Sequence, residues 1–255
     1  MRKKVQHLHQ FHGPPRIVAH RGARGLCDTE NTIESFEKAR EIGATWIEFD
    51  VRRTADGELV CFHDEAVGGR PVASLAYPDL LEATRRDGFD VPRVEDVFRR
   101  YRGTLNLDIE LKEGGYEAEL IRLANLYLEP GRFVMKSFVD AAVGAIKRLD
   151  PTIRAGLLVG VDGPRFDPKV RLPEFFPEKR LLQLRADFVS PNEGLCRLGF
   201  VERMHGLGLE VWVWTVNDRR RIKQLVSDGV DAIITDRPDI GLDVVEKVFG
   251  TGVRT

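Results

Sequence analysis

The sequence predicts an α/β protein with the TIM (β/α)8 barrel fold, and three observations support this prediction. From Arg16 onward, short apolar segments alternate with longer segments of helical periodicity. Eight such units within 255 residues match the usual size of a (β/α)8 barrel. Most strand-like segments also end in polar or charged residues, as a ring of groups around a barrel mouth requires. An open doubly wound sheet would instead favour a glycine-rich loop after its first strand, where this chain has His20, Arg21 and Gly22.

The predicted strands are short apolar runs, and helical patterns lie between them. Glycines, which favour the C-terminal turns of helices, stand just before several of these runs. The eight strands are predicted at Arg16–His20, Thr45–Asp50, Thr104–Leu111, Arg132–Ser137, Ile153–Val159, Asp187–Ser190, Glu210–Thr215 and Ala232–Thr235.

The alternation breaks once, after the second strand. Glu58–Phe62 resembles a short strand that leads into His63, a polar stretch follows, and the next helical pattern begins only at Val94. We therefore predict a single barrel domain over residues 16–250, with an insertion at residues 52–91 over the barrel mouth. Residues 1–15 are polar and are expected to form a flexible N-terminal segment.

The composition indicates an ordinary globular protein and excludes several kinds of partner. The 39 basic and 40 acidic residues leave a net charge of −1, which provides no overall field for attracting nucleic acid or an anionic membrane. No apolar run is as long as a signal sequence or a membrane span requires, so no stable membrane insertion is expected. The 3 cysteines have no metal-ligand spacing, which favours reduced thiols and a cytoplasmic location.

Carboxylates cluster on the predicted second and third strands. Glu48 and Asp50 lie on one face of their strand, with side chains about 7 Å apart along it. A solvated strand face would explain one such pattern, but the third strand repeats it. The polar residues on one face of that strand are Asn106, Asp108, Glu110 and Lys112. Both faces of a parallel barrel strand are covered, so these carboxylates would repel one another unless a metal or a basic group neutralised them. Oxygen ligands favour Mg²⁺ or Ca²⁺ over zinc.

Two histidines, His20 and His63, directly follow strand-like segments. At strand ends beside the carboxylates they suit paired proton transfer, in which one accepts a proton from a nucleophile and the other donates one to a leaving oxygen. His205 lies at the end of a helix and is interpreted as a capping or surface residue.

Arg21 and Lys112 add positive charge near the predicted cluster. Together with a metal ion they suit a phosphate oxyanion, although each could instead pair with a neighbouring carboxylate. Asn31 and Thr32 precede a helix, where either residue can cap it. A helix N-terminus beside an anion site can also help to bind phosphate.

Taken together, these residues resemble the glycerophosphodiester phosphodiesterases. The resemblance covers nearly the whole chain from Ile17 to Pro238, and it rests on seven motifs in the same order and spacing. They are His20-Arg21-Gly22, Glu30-Asn31-Thr32, Glu48-x-Asp50-Val51, Thr54-x-Asp56-Gly57, His63-Asp64, Glu110-x-Lys112 and Trp214-Thr215-Val216-Asn217.

The resemblance implies a TIM barrel that hydrolyses small-molecule glycerophosphodiesters to sn-glycerol 3-phosphate and an alcohol, using one divalent metal ion, Mg²⁺ or Ca²⁺. It leaves open which histidine is the acid and whether a cyclic phosphate forms. Carried over position by position, it implies Glu48, Asp50 and Glu110 as metal ligands, His20 and His63 as acid and base, Arg21 and Lys112 as phosphate-binding residues, and Trp214 as part of the substrate pocket.

The chain departs from the family pattern at two places. Thr29 replaces the usual proline before Glu-Asn-Thr, and Glu65–Arg70 lacks the usual Leu-x-Arg-Thr-Thr pattern after His63-Asp64. The insertion helps to form the substrate entrance in this family, so the alcohol is left open. Two alternatives also stay open: a lysophospholipase D-like activity at the same site, and a non-catalytic barrel that binds a phosphodiester. The oligomeric state is open as well.

Overall fold

The computed structural model describes residues 13–160 and 173–250. Eight parallel strands form a closed barrel, because the first strand pairs with both the second and the last. In chain order the strands are β1 (Arg16–Ala19), β2 (Trp46–Arg53), β3 (Leu59–Cys61), β4 (Ala66–Val67), β5 (Arg70–Pro71), β6 (Asn106–Leu111), β7 (Phe133–Ser137), β8 (Ala155–Val159), β9 (Phe188–Pro191), β10 (Glu210–Val213) and β11 (Ala232–Thr235). The barrel consists of β1, β2 and β6 to β11.

Helices follow the barrel strands and cover them on the outside. Those that lie wholly within the described residues are α1 (Ile33–Glu41), α2 (Tyr77–Arg86), α3 (Val94–Tyr101), α4 (Glu117–Tyr127), α5 (Asp140–Leu149), α6 (Glu178–Leu184), α7 (Phe200–His205), α8 (Arg219–Ser227) and α9 (Pro238–Phe249). None of the helices in the described ranges is both long and apolar enough to cross a membrane.

Two separate hydrophobic cores follow from the alternation of side chains along each strand. The larger core packs the outer faces of the strands, such as Ile47 and Phe49, against the helices. The smaller core fills the lower interior of the barrel with rings such as Trp46, Trp212 and Phe188. Phe188 fits there only because Gly156 faces it, since a Cβ at residue 156 would lie 2.2 Å from that ring. This apolar plug leaves the upper interior for polar side chains.

The chain between β2 and α3 forms a small layer of its own. β2 runs three residues past its predicted end, because β3 pairs with it in antiparallel register from Val51 opposite Cys61 to Arg53 opposite Leu59. The hairpin of β4 and β5 and helix α2 follow. Residues such as Val60, Leu75 and Leu80 give this layer its own buried cluster. The limits 52–91 of the insertion stay a prediction, as does the flexible segment 1–15, most of which lies outside the described residues.

Candidate active site

Three carboxylates meet at the carboxyl ends of β2 and β6. Asp50 lies opposite Glu110 in the strand register, and Glu48 lies one pleat below. One ligand oxygen from each of Glu48, Asp50 and Glu110 lies within 4.8 Å of the other two, and all three residues are buried. The spacing of two that placed Glu48 and Asp50 on one strand face therefore aims both at the same space.

Basic groups surround this cluster. Arg21 Nε lies 3.1 Å from Oδ2 of Asp50, and Lys112 Nζ lies 3.3 Å from Oδ1 of Asp50 and 2.7 Å from Glu110. Burial alone would raise the pKa of Asp50, but Lys112 and Arg21 outweigh burial and hold that pKa below its ordinary value. Burial and the neighbouring Asp50 raise the pKa of Glu110 to about 7. A cation beside Glu110 would favour its ionised form.

A second set of charges lies deeper in the barrel. Lys136 on β7 donates a 2.6 Å hydrogen bond to Asp108 and lies 3.4 Å from Oε1 of Glu48. Burial would lower the pKa of Lys136, but Asp108 and Glu48 hold it above its ordinary value. Burial raises the pKa of Asp108 to about 6, although Lys136 opposes that shift. Sequence reasoning placed Asp108 on the polar face of its strand but missed Lys136, whose period-two position inside β7 was the available signal.

His20 follows β1 and is held by the last strand of the barrel. Its Nδ1 donates a 2.7 Å hydrogen bond to Asp236, and Asn217 donates a 2.7 Å hydrogen bond to the other oxygen of that carboxylate. Burial would raise the pKa of Asp236, but the contact with His20 lowers it. The opposite ring nitrogen, Nε2, lies 3.9 Å from Glu48. The sequence analysis did not predict a role for Asp236, although this residue directly follows β11 and so lies at the barrel mouth.

The turn after His20 brings Arg21 to the cluster. Arg21 has φ +51°, and its backbone N–H donates to Glu48 over 3.1 Å. Asn31 binds both the backbone N–H and the carboxylate of Asp50, at 3.1 and 2.9 Å. Thr32 caps α1 through a reciprocal pair of hydrogen bonds with Ser35. The capping role proposed for Thr32 is therefore correct, whereas Asn31 instead fixes the orientation of Asp50.

His63 lies on the wall of a cavity of about 300 Å³ beside the cluster. Its Nδ1 lies 2.7 Å from Asp64, and its side chain is 33% exposed. The cavity also borders Asn31, which contacts Asp50, and the parallel rings of Phe62 and Phe89. Its position puts His63 at an entrance to the site rather than inside the barrel.

Trp214 is largely buried and lies beyond the end of β10. Its Nε1 donates a 2.7 Å hydrogen bond to the backbone oxygen of Ser190, and its ring packs edge-on against Phe138 at 5.5 Å. His205 donates a 2.8 Å hydrogen bond to Asp231 at the base of β11. It is partly buried and links α7 to the barrel rather than lying free on the surface.

The sequence that forms this barrel matches a known protein family. Residues 20–240 match the model of the glycerophosphoryl diester phosphodiesterase family. The chain belongs to this family. The match spans every barrel strand after β1, the acidic cluster and both strand-end histidines. The predicted TIM barrel and the predicted phosphoric diester hydrolase class are therefore confirmed.

Similar proteins of this family align with almost the whole of this chain. A glycerophosphodiester phosphodiesterase of Caldanaerobacter subterraneus subsp. tengcongensis is 29% identical over 249 residues, which span 91% of this chain and 98% of that protein. One from Bacillus subtilis is 28% identical over 260 residues, spanning 89% and 86% of the two chains. A crystal structure of such an enzyme from Parabacteroides distasonis is 26% identical, has a TM-score of 0.77 and covers 92% of this chain and 98% of its own.

In the part of this chain that the structure describes, most of the predicted site residues form one connected group. Contacts of 3.9 Å or less connect His20, Arg21, Glu48, Asp50, Glu110 and Lys112. His63 is outside this group and lines the cavity together with Asn31, which contacts Asp50. Trp214 follows β10 and donates its hydrogen bond to Ser190. Arg21 and Lys112 both touch carboxylates, which is what a simple ion-pair role also predicts. Their roles, like those of the histidines, stay predictions.

Proposed function

We propose that the protein hydrolyses glycerophosphodiesters to sn-glycerol 3-phosphate and an alcohol, with one divalent cation held by Glu48, Asp50 and Glu110. The buried three-carboxylate cluster beside His20 in a member of this family is the observation that carries the proposal. The named relatives are glycerophosphodiester phosphodiesterases and support the same substrate class.

The donor set suits a hard cation. All three candidate ligands are carboxylates, and Oδ1 of the buried Asp50 accepts no hydrogen bond from the described residues, so it has lone pairs to offer. When bound, Mg²⁺ or Ca²⁺ would supply positive charge that stabilises the phosphate oxygens as their charge changes. Asn31 and Lys112 would keep Asp50 oriented toward that space.

Arg21 and Lys112 would supply the protein's own positive charges for binding the phosphate. Both side chains are largely buried at the rim of the cluster, where a low dielectric strengthens their attraction for an anion. The carboxylates they now touch keep them charged: burial would lower the pKa of Lys112, but Asp50 and Glu110 raise it above its ordinary value.

His20 and His63 would move the protons. Asp236 accepts the Nδ1 proton of His20 and so leaves Nε2 directed at the mouth, beside Glu48. His63 would reach the same space from the cavity wall, where Asp64 contacts its Nδ1. One histidine would accept a proton from the nucleophile while the other protonates the leaving oxygen.

The cavity favours a small alcohol over a long acyl chain. Its volume of about 300 Å³ is at the lower end of the range for small-molecule sites, and its lining mixes Phe62 and Phe89 with charged residues. A lysophospholipid would need a longer apolar groove. A non-catalytic barrel would not need two histidines at the mouth. The cytoplasmic location stays a prediction.

A substrate panel tests this function. The purified protein is incubated with glycerophosphodiesters and lysophospholipids in Mg²⁺ or Ca²⁺, and glycerol 3-phosphate release is measured. We expect release from the glycerophosphodiesters, a loss of at least about a hundredfold in Glu110→Gln, and near-normal rates in the control Glu113→Gln, whose side chain pairs with Arg52. Absence of turnover on every substrate would favour a binding role instead.

A further inference from the structure

Lys136 and Asp108 form a fully buried ion pair that the proposed reaction does not use. Both are at most 1% exposed, and Lys136 Nζ lies 2.6 Å from Oδ2 of Asp108. The pair spans neighbouring strands, since Asp108 lies on β6 and Lys136 on β7. Ion pairs this deeply buried are costly to desolvate, and apolar residues of similar volume are often as stable. Stability alone therefore does not explain it.

The pair is in contact with the candidate metal cluster. Lys136 Nζ lies 3.4 Å from Oε1 of Glu48, so the ammonium group bridges Asp108 and one of the three carboxylates. Asp108 itself sits beside Glu48 in the strand register. Oδ1 of Asp108 has no hydrogen-bond partner among the described residues, so its charge is not shared with a second donor.

Charge near a cation site changes the affinity of that site. An uncompensated ammonium group beside Glu48 would repel a divalent ion and would compete with it for the Glu48 oxygens. Asp108 supplies the opposite charge at 2.6 Å from the same nitrogen. With both present, the three-carboxylate cluster above them keeps its own negative charge while Glu48 stays anchored from below.

We propose that Lys136 and Asp108 act together as a neutral positioning pair that sets the divalent-cation affinity of the cluster formed by Glu48, Asp50 and Glu110. Lys136 holds Glu48, and Asp108 cancels the repulsion that this lysine would otherwise exert on the ion. The inference rests on the proposed metal function and extends it to two residues that would not themselves bind the metal.

The proposal makes an unusual prediction about paired substitutions. Asp108→Asn keeps the side-chain shape but leaves the Lys136 charge unbalanced, so it should weaken Mg²⁺ and Ca²⁺ binding by roughly tenfold or more. Adding Lys136→Met to that variant removes more native contacts, yet it returns the net charge of these two positions to zero. The double variant should therefore bind the ion within about threefold of the unsubstituted protein.

Isothermal titration calorimetry at pH 8 on protein stripped with EDTA gives the comparison, with circular dichroism as the check on folding. Asp187→Asn is the matched control, because Asp187 pairs with Lys147 at 2.8 Å before the start of β9, at the far end of the barrel. It should lower stability without changing the affinity. Asp108→Ser provides a second neutral replacement if Asp108→Asn does not fold.

Two results would overturn the inference while leaving the metal site standing: normal affinity in Asp108→Asn, or a double variant that binds no more tightly than the single one. A protein that binds neither Mg²⁺ nor Ca²⁺ would instead overturn the proposed metal function, and the inference with it.

Discussion

At the scale of single residues, the site is built from charges that satisfy one another in pairs. Asp50 contacts Arg21, Asn31 and Lys112, and the first and last of these are the side chains proposed to bind phosphate. Such contacts are compatible with two roles. Either the cations exist to neutralise the carboxylates, or the carboxylates hold the cations ready for an anion.

Substitution of the two cations separates these roles. If Arg21 and Lys112 stabilise charge on the phosphate in the transition state, Arg21→Ala and Lys112→Ala should each lower kcat more than they raise KM. Loss of one such contact costs about 3 kcal/mol, or roughly a hundredfold in rate. Steady-state kinetics with glycerophosphodiesters measure the split. Near-normal turnover in either variant would assign that residue to an ion pair only.

At the scale of elements, the turn between β1 and α1 depends on Gly22. It has φ +84°, and a Cβ there would lie 2.4 Å from Oγ and 2.6 Å from the carbonyl carbon of Ser35, at the start of α1. Gly43, at the other end of α1, has φ +95° but open space around it. The two glycines therefore separate backbone strain from steric overlap.

We expect Gly43→Ala to lower the free energy of unfolding by about 1 to 2 kcal/mol, the usual cost of a left-handed backbone, without affecting activity. Gly22→Ala adds overlap with α1 and should cost about 3 kcal/mol or more. It should also reduce turnover, because the turn carries His20 and Arg21. Urea denaturation and activity assays on both variants give the comparison. Equal stability losses would show that α1 moves away freely.

Helix α7 is attached to the barrel by a contact that depends on pH. The hydrogen bond to Asp231 raises the pKa of His205 above its ordinary value of 6.5, although burial opposes the shift. A raised pKa means that the folded state binds the proton more tightly than the unfolded state. The stabilisation is therefore complete below pH 6.5 and is lost as pH rises through the folded-state value.

His205→Gln should consequently destabilise the protein more at pH 6 than at pH 9, by about 1 kcal/mol. Urea denaturation at the two pH values measures the difference. A destabilisation that is the same at both would mean that the contact matters only through shape and packing.

At the scale of the whole molecule, closure of the barrel divides its interior into two layers. The apolar rings of Trp46, Phe188 and Trp212 fill the lower part, and the charged groups lie above them. Clustered carboxylates repel one another, so a cation at the top should stabilise the entire fold by binding the native state only.

Metal removal tests this linkage. EDTA should abolish activity reversibly, and Mg²⁺ or Ca²⁺ at about a hundred times its Kd should stabilise the protein by about 2.7 kcal/mol, which raises Tm by roughly 5 to 10 °C. Differential scanning calorimetry measures the shift. Glu110→Gln should abolish most of it, whereas Glu113→Gln should not. Full activity in excess chelator would rule out the metal assignment.

The sequence by itself determined the features that depend on local periodicity. Alternation of strand and helix patterns predicted eight strands, and a period of two placed Glu48 with Asp50 and Glu110 with Lys112 on single strand faces. His20 and His63 were found because they directly follow apolar runs. Each of these patterns involves residues that are close together in the sequence. They can therefore be recognised without knowledge of the fold.

Only the tertiary structure decided which distant residues meet. Asp236 lies 216 positions from His20 and reaches it because β11 closes the barrel against β1. Lys136 pairs with Asp108 because β7 lies beside β6 with both side chains turned inward. Side-chain pairing across strands depends on register and closure, which are properties of the packed barrel as a whole, and no local pattern in the chain encodes them.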